Sequence, residues 1–110
     1  MRTNLPVSDI EYVVPEGVVL VTKTDLKGNI TYCNQAFFEV SGYMASELLG
    51  EPHNIVRHPD VPQCVFADVW KTIMAGKSWH GVIKNRRKNG DYYWVDANIT
   101  PLLENDRTIG

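Results

Sequence analysis

No uninterrupted apolar run in these 110 residues is longer than a few positions. A membrane-spanning helix needs roughly 20, so none is expected. The opening Met1-Arg-Thr-Asn-Leu-Pro-Val7 lacks the apolar core of a secretion signal. Cysteine is scarce: Cys33 and Cys64 stand alone without CxxC spacing, signalling neither a zinc knuckle nor a redox dithiol. Reduced thiols in a cytoplasmic protein are the expectation. An excess of one charge is missing too. Lys and Arg number 11 against 13 Asp and Glu, a net −2, so no global field recruits nucleic acid or anionic membrane. No His-Cys pair, paired carboxylates or glycine-rich phosphate loop stands in a recognisable order, and Ser41 and Ser46 lack a nucleophile-elbow context. Enzymatic readings therefore fare badly. Repeats and low-complexity tracts are lacking as well.

What is present is one core's worth of ordinary chain, 44% hydrophobic and 22% charged. Residues 1–16 carry two prolines and weak periodicity, a lead-in or cap; residues 17–110 form the domain. Gly17 to Thr24 is β-branched and short, a strand; Asp25 to Gly28 is a turn; Asn29 to Cys33 returns as the second strand. Asn34 is placed to cap a helix over Gln35 to Ser41, stopped by Gly42, and Ser46 to Leu49 adds one helical turn. Residues 51–62 hold three prolines and cannot be one long regular element. Apolar spacing of three and four predicts an amphipathic helix from Cys64 to Ala75. Trp79 to Lys88 and Asp91 to Leu103 read as a hairpin turned at Asn89-Gly90. Glu104 to Arg107 reads as a polar turn, and Thr108 to Gly110 as the start of another strand. A helix cluster between two hairpins implies an α+β fold, an antiparallel sheet with helices on one face and a pocket between them.

Alternation along the third strand puts Trp79, Gly81, Ile83, Asn85 and Arg87 on one face. His80, Val82, Lys84, Arg86 and Lys88 make the other face the wetter one, so Asn85 points inward. A buried amide needs partners. It suits either the edge of a heterocycle such as a flavin or purine, or neighbouring backbone. On the fourth strand Tyr93, Val95, Ala97 and Ile99 form the apolar face, and small Ala97 leaves room there. The segment His53 to Asp60 is the most function-like. Arg57 offers a fork for phosphate or carboxylate, and His58 suits ligand, proton or metal. The alternative is a local ion pair of Arg57 or His58 with Asp60 that fixes the loop. The basic run Lys84 to Lys88 reads as a solvated strand end and hairpin rather than a nucleic-acid contact.

The strings Thr24-Asp25-Leu-Lys-Gly28-Asn-Ile-Thr-Tyr-Cys-Asn34, Phe37-Phe-Glu-Val-Ser-Gly42-Tyr43 and Glu47-Leu-Leu-Gly50 resemble the PAS sensor family. More closely, Pro52-His-Asn-Ile-Val-Arg-His-Pro-Asp60 and Lys84-Asn-Arg-Arg-Lys-Asn-Gly-Asp91 with Tyr93-Trp94-Val95 are similar to the N-terminal PAS domain of bacterial aerotaxis receptors. The resemblance implies a five-stranded antiparallel sheet and a non-covalently held FAD whose redox state reports to chemotaxis signalling. Carried over by position, it implies FAD-determining roles for Arg57, His58 and Asp60, and an amide against the ring for Asn85. Asn34, His53, Trp79 and Tyr93 are further candidates for the pocket lining. Partners implied are a downstream transducer domain and a second copy of the chain, with no nucleic acid and no membrane insertion of this domain. The location implied is cytoplasmic, with the whole receptor tethered to the inner membrane. Light-sensing relatives carry a flavin-linking cysteine in an Asn-Cys-Arg-Phe-Leu-Gln motif. His53 stands there in this chain, so no adduct chemistry is expected.

Two other readings stand beside the redox sensor: a haem domain sensing oxygen through His58 or His53, and a ligand-free module whose Trp94 face binds another domain. In the family the fifth strand lies between the first and fourth. With Thr108 to Gly110 only beginning it, a truncated sensor that associates through exposed strands and holds FAD poorly is the expectation.

Overall fold

Asn34 organises the first third of the chain. In the computed structural model, which describes residues 5–110, its side-chain oxygen accepts the Phe37 amide at 3.1 Å and the Val21 amide at 3.1 Å. Its Nδ2 donates to the Val19 carbonyl at 2.8 Å. The first strand, β1, is consequently short, Thr22–Thr24 rather than Gly17 to Thr24. Its hairpin partner β2, Ile30–Cys33, ends where Asn34 turns into a helix, so the Val19 carbonyl and the Val21 amide find that side chain instead of a ladder. The ladder also slips between Lys23 and Thr24. The helix α1, Gln35–Ser41, runs from the Asn34 cap to Gly42, whose φ of 78° is the left-handed stop a side chain would resist.

A short α2 follows over Ala45–Leu48, one residue earlier than its spacing suggests. The proline-rich stretch contains a 3-10 turn at His53–Val56. The longest helix, α3, covers Gln63–Met74 and buries Val69 and Ile73. The second hairpin pairs β3, Trp79–Arg86, with β4, Tyr92–Ile99, each shorter than the alternation predicts. The turn is wider than the Asn89-Gly90 pair alone. Arg87 donates to the Asp91 carbonyl at 2.7 Å and Gly90, at φ 101°, to the Arg87 carbonyl at 2.9 Å, a three-residue loop. The Lys88 amide is drawn off to the Ser41 carbonyl, which widens it.

A third ribbon joins β5, Leu103–Glu104, to β6, Arg107–Thr108. Its turn is Asn105-Asp106, both left-handed, rather than the longer turn over Glu104 to Arg107. Short polar side chains tolerate that conformation. The strands thus form three antiparallel ribbons. Beyond β6, Gly110 lies so close to β1 that a Cβ there would meet the Thr24 carbonyl oxygen. Ile30, Cys33, Phe37, Leu48, Ile55 and Val56 make the core under the helices.

The lead-in segment is a strap along β4, apart from residues 1–4, which lie outside the described residues. Tyr92 donates to the Ile10 carbonyl at 3.0 Å, Tyr12 to the Tyr92 carbonyl at 2.7 Å, and Ser8 to Gly90 at 2.9 Å. The Ser8 hydroxyl adds a bond to Asp91 at 2.6 Å.

Replacing Asn34 by alanine removes one helix cap and two further hydrogen bonds. A cap is worth about 1 kcal/mol and each bond about 1, discounted for exposure, so a loss of about 2 kcal/mol is expected in urea unfolding. Asn34→Asp keeps both acceptor bonds and loses only the donor, so its loss should be about half as large. Equal losses for the two would contradict this division.

Candidate functional site

The β3–β4 ladder runs without a slip from Trp79↔Ile99 to Arg86↔Tyr92, so direct partners share a face. Ile83, Asn85 and Tyr93 are buried on the face toward the helices, while Val82, Trp94 and Asp96 are exposed on the other. Asn85 and Tyr93 are direct partners. Tyr93 is 0% exposed, and among the described residues no group forms a hydrogen bond of good geometry with its hydroxyl. The Asn85 amide approaches that hydroxyl and partly offsets the rise in its pKa caused by burial; Arg87 also opposes it, and Tyr43 and Cys33 add to it.

Arg57 joins this pair from the proline-rich loop. An isolated antiparallel bridge sets it opposite Asn85, which puts its side chain on the same inward face. It is 4% exposed, and its guanidinium donates to the Val61 carbonyl, closing the loop on itself. Sequence alone could not show this, because the bridge spans elements that no local pattern connects.

His58, the next residue, falls on the opposite face. Its ring meets Tyr92 edge-on at 6.3 Å, and its Nδ1 accepts the Asp60 amide at 3.1 Å. Lys84 Nζ bonds Asp60 at 3.0 Å and sits 4.4 Å from the centre of the Tyr92 ring. The Lys84 contact holds the Asp60 carboxyl below its usual range. Burial, then Lys84, lowers the His58 pKa, with Asp60 opposing. The structure therefore splits the string Arg57 to Asp60: the arginine faces inward, and His58 and Asp60 form a local clamp with Lys84 on the outside.

The remaining candidates separate similarly. Trp79 lies at the far end of the inward face, its Nε1 donating to Asp68 of α3 at 2.9 Å. Its indole folds over Gly81, whose Cβ, if present, would come within 2.5 Å of the ring; Gly81 pairs with Ala97. The room read beside Ala97 is bordered by this indole. His53 sits in the 3-10 turn against Thr22 Oγ1 at 3.1 Å and Phe37, and burial lowers its pKa. Asn34 is spent on backbone groups. Cys33 lies in the core, its thiol pushed up to about 11 by burial, and Cys64 is exposed at the start of α3. Two open hollows lie elsewhere, one of about 520 Å³ between Leu26, Met74 and Leu103, the other of about 430 Å³ beside Gly42 and Lys88.

The basic run is a solvated hairpin end only in part: Lys88 and Asn89 are exposed, but the two arginines before them are not free in solvent. Arg86 is 6% exposed and donates to the Pro6 carbonyl at 2.9 Å, Tyr43 Oη at 3.2 Å and the Lys88 carbonyl at 3.3 Å. Arg87 donates to the Val40 carbonyl at 2.6 Å and that of Glu39 at 3.2 Å, with Tyr12 stacked 4.0 Å away. The lead-in segment, some 80 positions distant in sequence, buries Arg86. A local pattern carries no trace of that contact.

Comparison with known proteins gives a consistent picture. The family model described as the PAS fold matches residues 30–110. The chain is 47% identical over 99% of its length to the aerotaxis receptor of Escherichia coli, covering 20% of that protein. It is 32% identical over 82% of its length to the nitrogen fixation regulatory protein of Klebsiella pneumoniae, covering 18% of it. It thus spans about a fifth of these curated relatives. Among solved structures, a PAS domain from Colwellia psychrerythraea superposes with a TM-score of 0.74 at 26% identity, over 83% of this chain and 77% of that one. A LOV protein of Rhodobacter sphaeroides does so with 0.73 at 18% identity, over 87% and 56%.

His53 and His58 both have pKa values lowered in the fold. The unfolded chain, at about 6.5, therefore binds more protons in mild acid. Their contribution to stability is full above about pH 6.5 and falls away as pH drops through the folded values. Urea midpoints measured from about pH 8 down to 5 should decline in the lower half of that range. The His53→Gln, His58→Gln double variant should flatten the decline. An unchanged slope in the double variant would contradict the assignment.

Proposed function

The chain belongs to the PAS family, and from that premise we propose that it is the sensory domain of an aerotaxis-type receptor, holding FAD non-covalently and reporting its redox state to a downstream signalling module on the cytoplasmic side of the membrane. The observation that carries this reading is the buried set Arg57, Asn85 and Tyr93, which shares one inward face. At Tyr93 core packing alone would favour phenylalanine, since a buried hydroxyl whose hydrogen bond is incomplete costs about 1 to 3 kcal/mol. The identity with the aerotaxis receptor of E. coli supports the same reading.

The residues present fit the group. Asn85 offers donor and acceptor together to a heterocycle edge, Tyr93 offers a donor, and Arg57 a cation for anionic oxygens. FAD, when bound, supplies the gain and loss of electrons and the accompanying change in ring charge and protonation. The chain's own residues do the rest. Val61 fixes the direction of Arg57, and the clamp of His58, Asp60 and Lys84 keeps the loop in register with β3 from the other side. Arg87, the residue after β3, grips carbonyls in the last turn of α1 and stacks on Tyr12 of the strap. A shift in the bonds made by Asn85 thereby reaches a helix and the lead-in segment, packed elements whose arrangement a downstream module can read. His58 and Asp60 are positioning residues in this scheme, and Trp79 is an end wall of the inward face. With His53 in the position where light-sensing relatives carry cysteine, no flavin–cysteine adduct forms.

Freshly purified protein should show flavin bands near about 370 and 450 nm. Arg57→Ala and Asn85→Leu should each reduce the flavin released on heating several-fold; Asn85→Leu should leave the melting of the cofactor-free chain nearly unchanged, whereas Arg57→Ala, which also frees the Val61 carbonyl, should lower it. His58→Ala should reduce flavin as well, but by loosening the loop, so the cofactor-free chain also melts lower. A Soret band in place of flavin bands, or full flavin yield in both inward variants, would overturn the proposal.

A further inference from the structure

We propose that the loop clamp on the outer face is a proton-operated switch: when His58 takes a proton from solvent, the Asp60 carboxylate passes from Lys84 to the imidazolium and Lys84 is released. This is independent of which ligand the domain holds. It starts from the direction of one hydrogen bond. A backbone amide can only donate, and that of Asp60 donates to His58 Nδ1 at 3.1 Å, so this nitrogen is bare and Nε2 carries the ring proton. The Asp60 carboxylate bonds Lys84 Nζ at 3.0 Å and lies 3.7 Å from the same Nδ1. One ring nitrogen therefore faces both the amide and the carboxylate of Asp60. Glutamine could accept the same amide without titrating; the histidine makes the loop's bonding depend on a proton.

A proton on Nδ1 reverses both contacts. The imidazolium no longer accepts the Asp60 amide, and its new N–H needs an acceptor, which the nearby carboxylate supplies. His58 is 3% exposed, so water is a poor substitute. The new charge stands among three cations, Lys84, Arg86 and Arg57, and the single carboxylate of Asp60, with Tyr92 edge-on to the ring. Two of those cations are tied to the main chain: Arg57 to the Val61 carbonyl, Arg86 to the carbonyls of Pro6 and Lys88. Lys84 is held by Asp60 and by the rings of Tyr92 and Trp94, 4.4 and 5.8 Å from their centres. Lys84 is thus the cation that yields. Burial and the Lys84 charge favour the neutral ring, so the switch works below the ordinary histidine value of 6.5. The released ammonium changes the charge pattern of the outer face, where Val82 and Trp94 are exposed.

NMR of the purified protein from about pH 8 down to 5 tests this. The methylene beside Lys84 Nζ feels the ring current of Tyr92. Its signal should move toward that of a solvated lysine with the same midpoint as the His58 ring protons, below 6.5. In His58→Gln the Lys84 signal should stay in place over the whole range. Lys84→Met removes a like charge and frees the carboxylate while keeping the loop's own amide bond, so it should raise the His58 midpoint. That arm stands whether or not the glutamine variant folds. Four results would overturn the switch. His58 could titrate while the Lys84 signal stays still, or fail to titrate at all in this range. The Lys84 transition could persist in His58→Gln. Lastly, the His58 midpoint in Lys84→Met could equal or fall below that of the wild type.

Discussion

The register of the β3–β4 hairpin is the constraint on which the site depends. Side chains alternate along a strand, so a slip of one residue would send Asn85 and Tyr93 to the outer face and bring Lys84 and Trp94 inward. Three features prevent that slip. The Lys88-Asn89-Gly90 loop closes with Gly90 at a positive φ that only glycine adopts easily. Arg57 is paired backbone to backbone with Asn85. Arg86 and Arg87 fasten the hairpin end to carbonyls of the strap and of α1. The contact with the strap is tight enough that a Cβ on Gly90 would come within 3.0 Å of the Pro6 carbonyl oxygen.

Buried Arg86 and half-buried Arg87 solve a problem that cations taken out of water usually pose. A guanidinium taken out of water needs its donors satisfied, most often by carboxylates. Here main-chain carbonyls at a helix end and in the strap do it, with a tyrosine hydroxyl and an aromatic face beside them. That arrangement joins three stretches far apart in sequence: the lead-in, the end of α1 and the β3–β4 turn. The strand that carries Asn85 is thus in mechanical contact with elements at the surface. The outer clamp of His58, Asp60 and Lys84 does for the loop what the arginines do for the hairpin end.

Much of the fold was legible because its signals are local. Asn34 before an apolar helix, Gly42 after it, the three-and-four spacing of α3 and the alternation through Trp79 to Arg86 each reflect a few adjacent residues. Asn85 was readable as inward for the same reason. The shortened β1 was not, since nothing in the β-branched run from Val18 to Val21 reveals that the Asn34 side chain takes up its backbone groups. Nor was the division between Arg57 and His58, which depends on one bridge to β3. Resemblance grouped Arg57, His58 and Asp60 by position, and geometry separates them by face. Arg86 read as solvated because the segment that buries it lies at the other end of the chain.

The central claim is that the ligand meets the inward face of the hairpin and that the outer clamp acts only through the loop. Side-chain amide and indole N–H signals in a nitrogen-15 NMR spectrum test it most directly, because Trp79 lies on the inward face and Trp94 on the outer one. On adding FAD to the cofactor-free chain, the Asn85 amide and the Trp79 indole should shift while the Trp94 indole stays in place. Movement of the Trp94 signal with Asn85 and Trp79 unchanged would contradict the account.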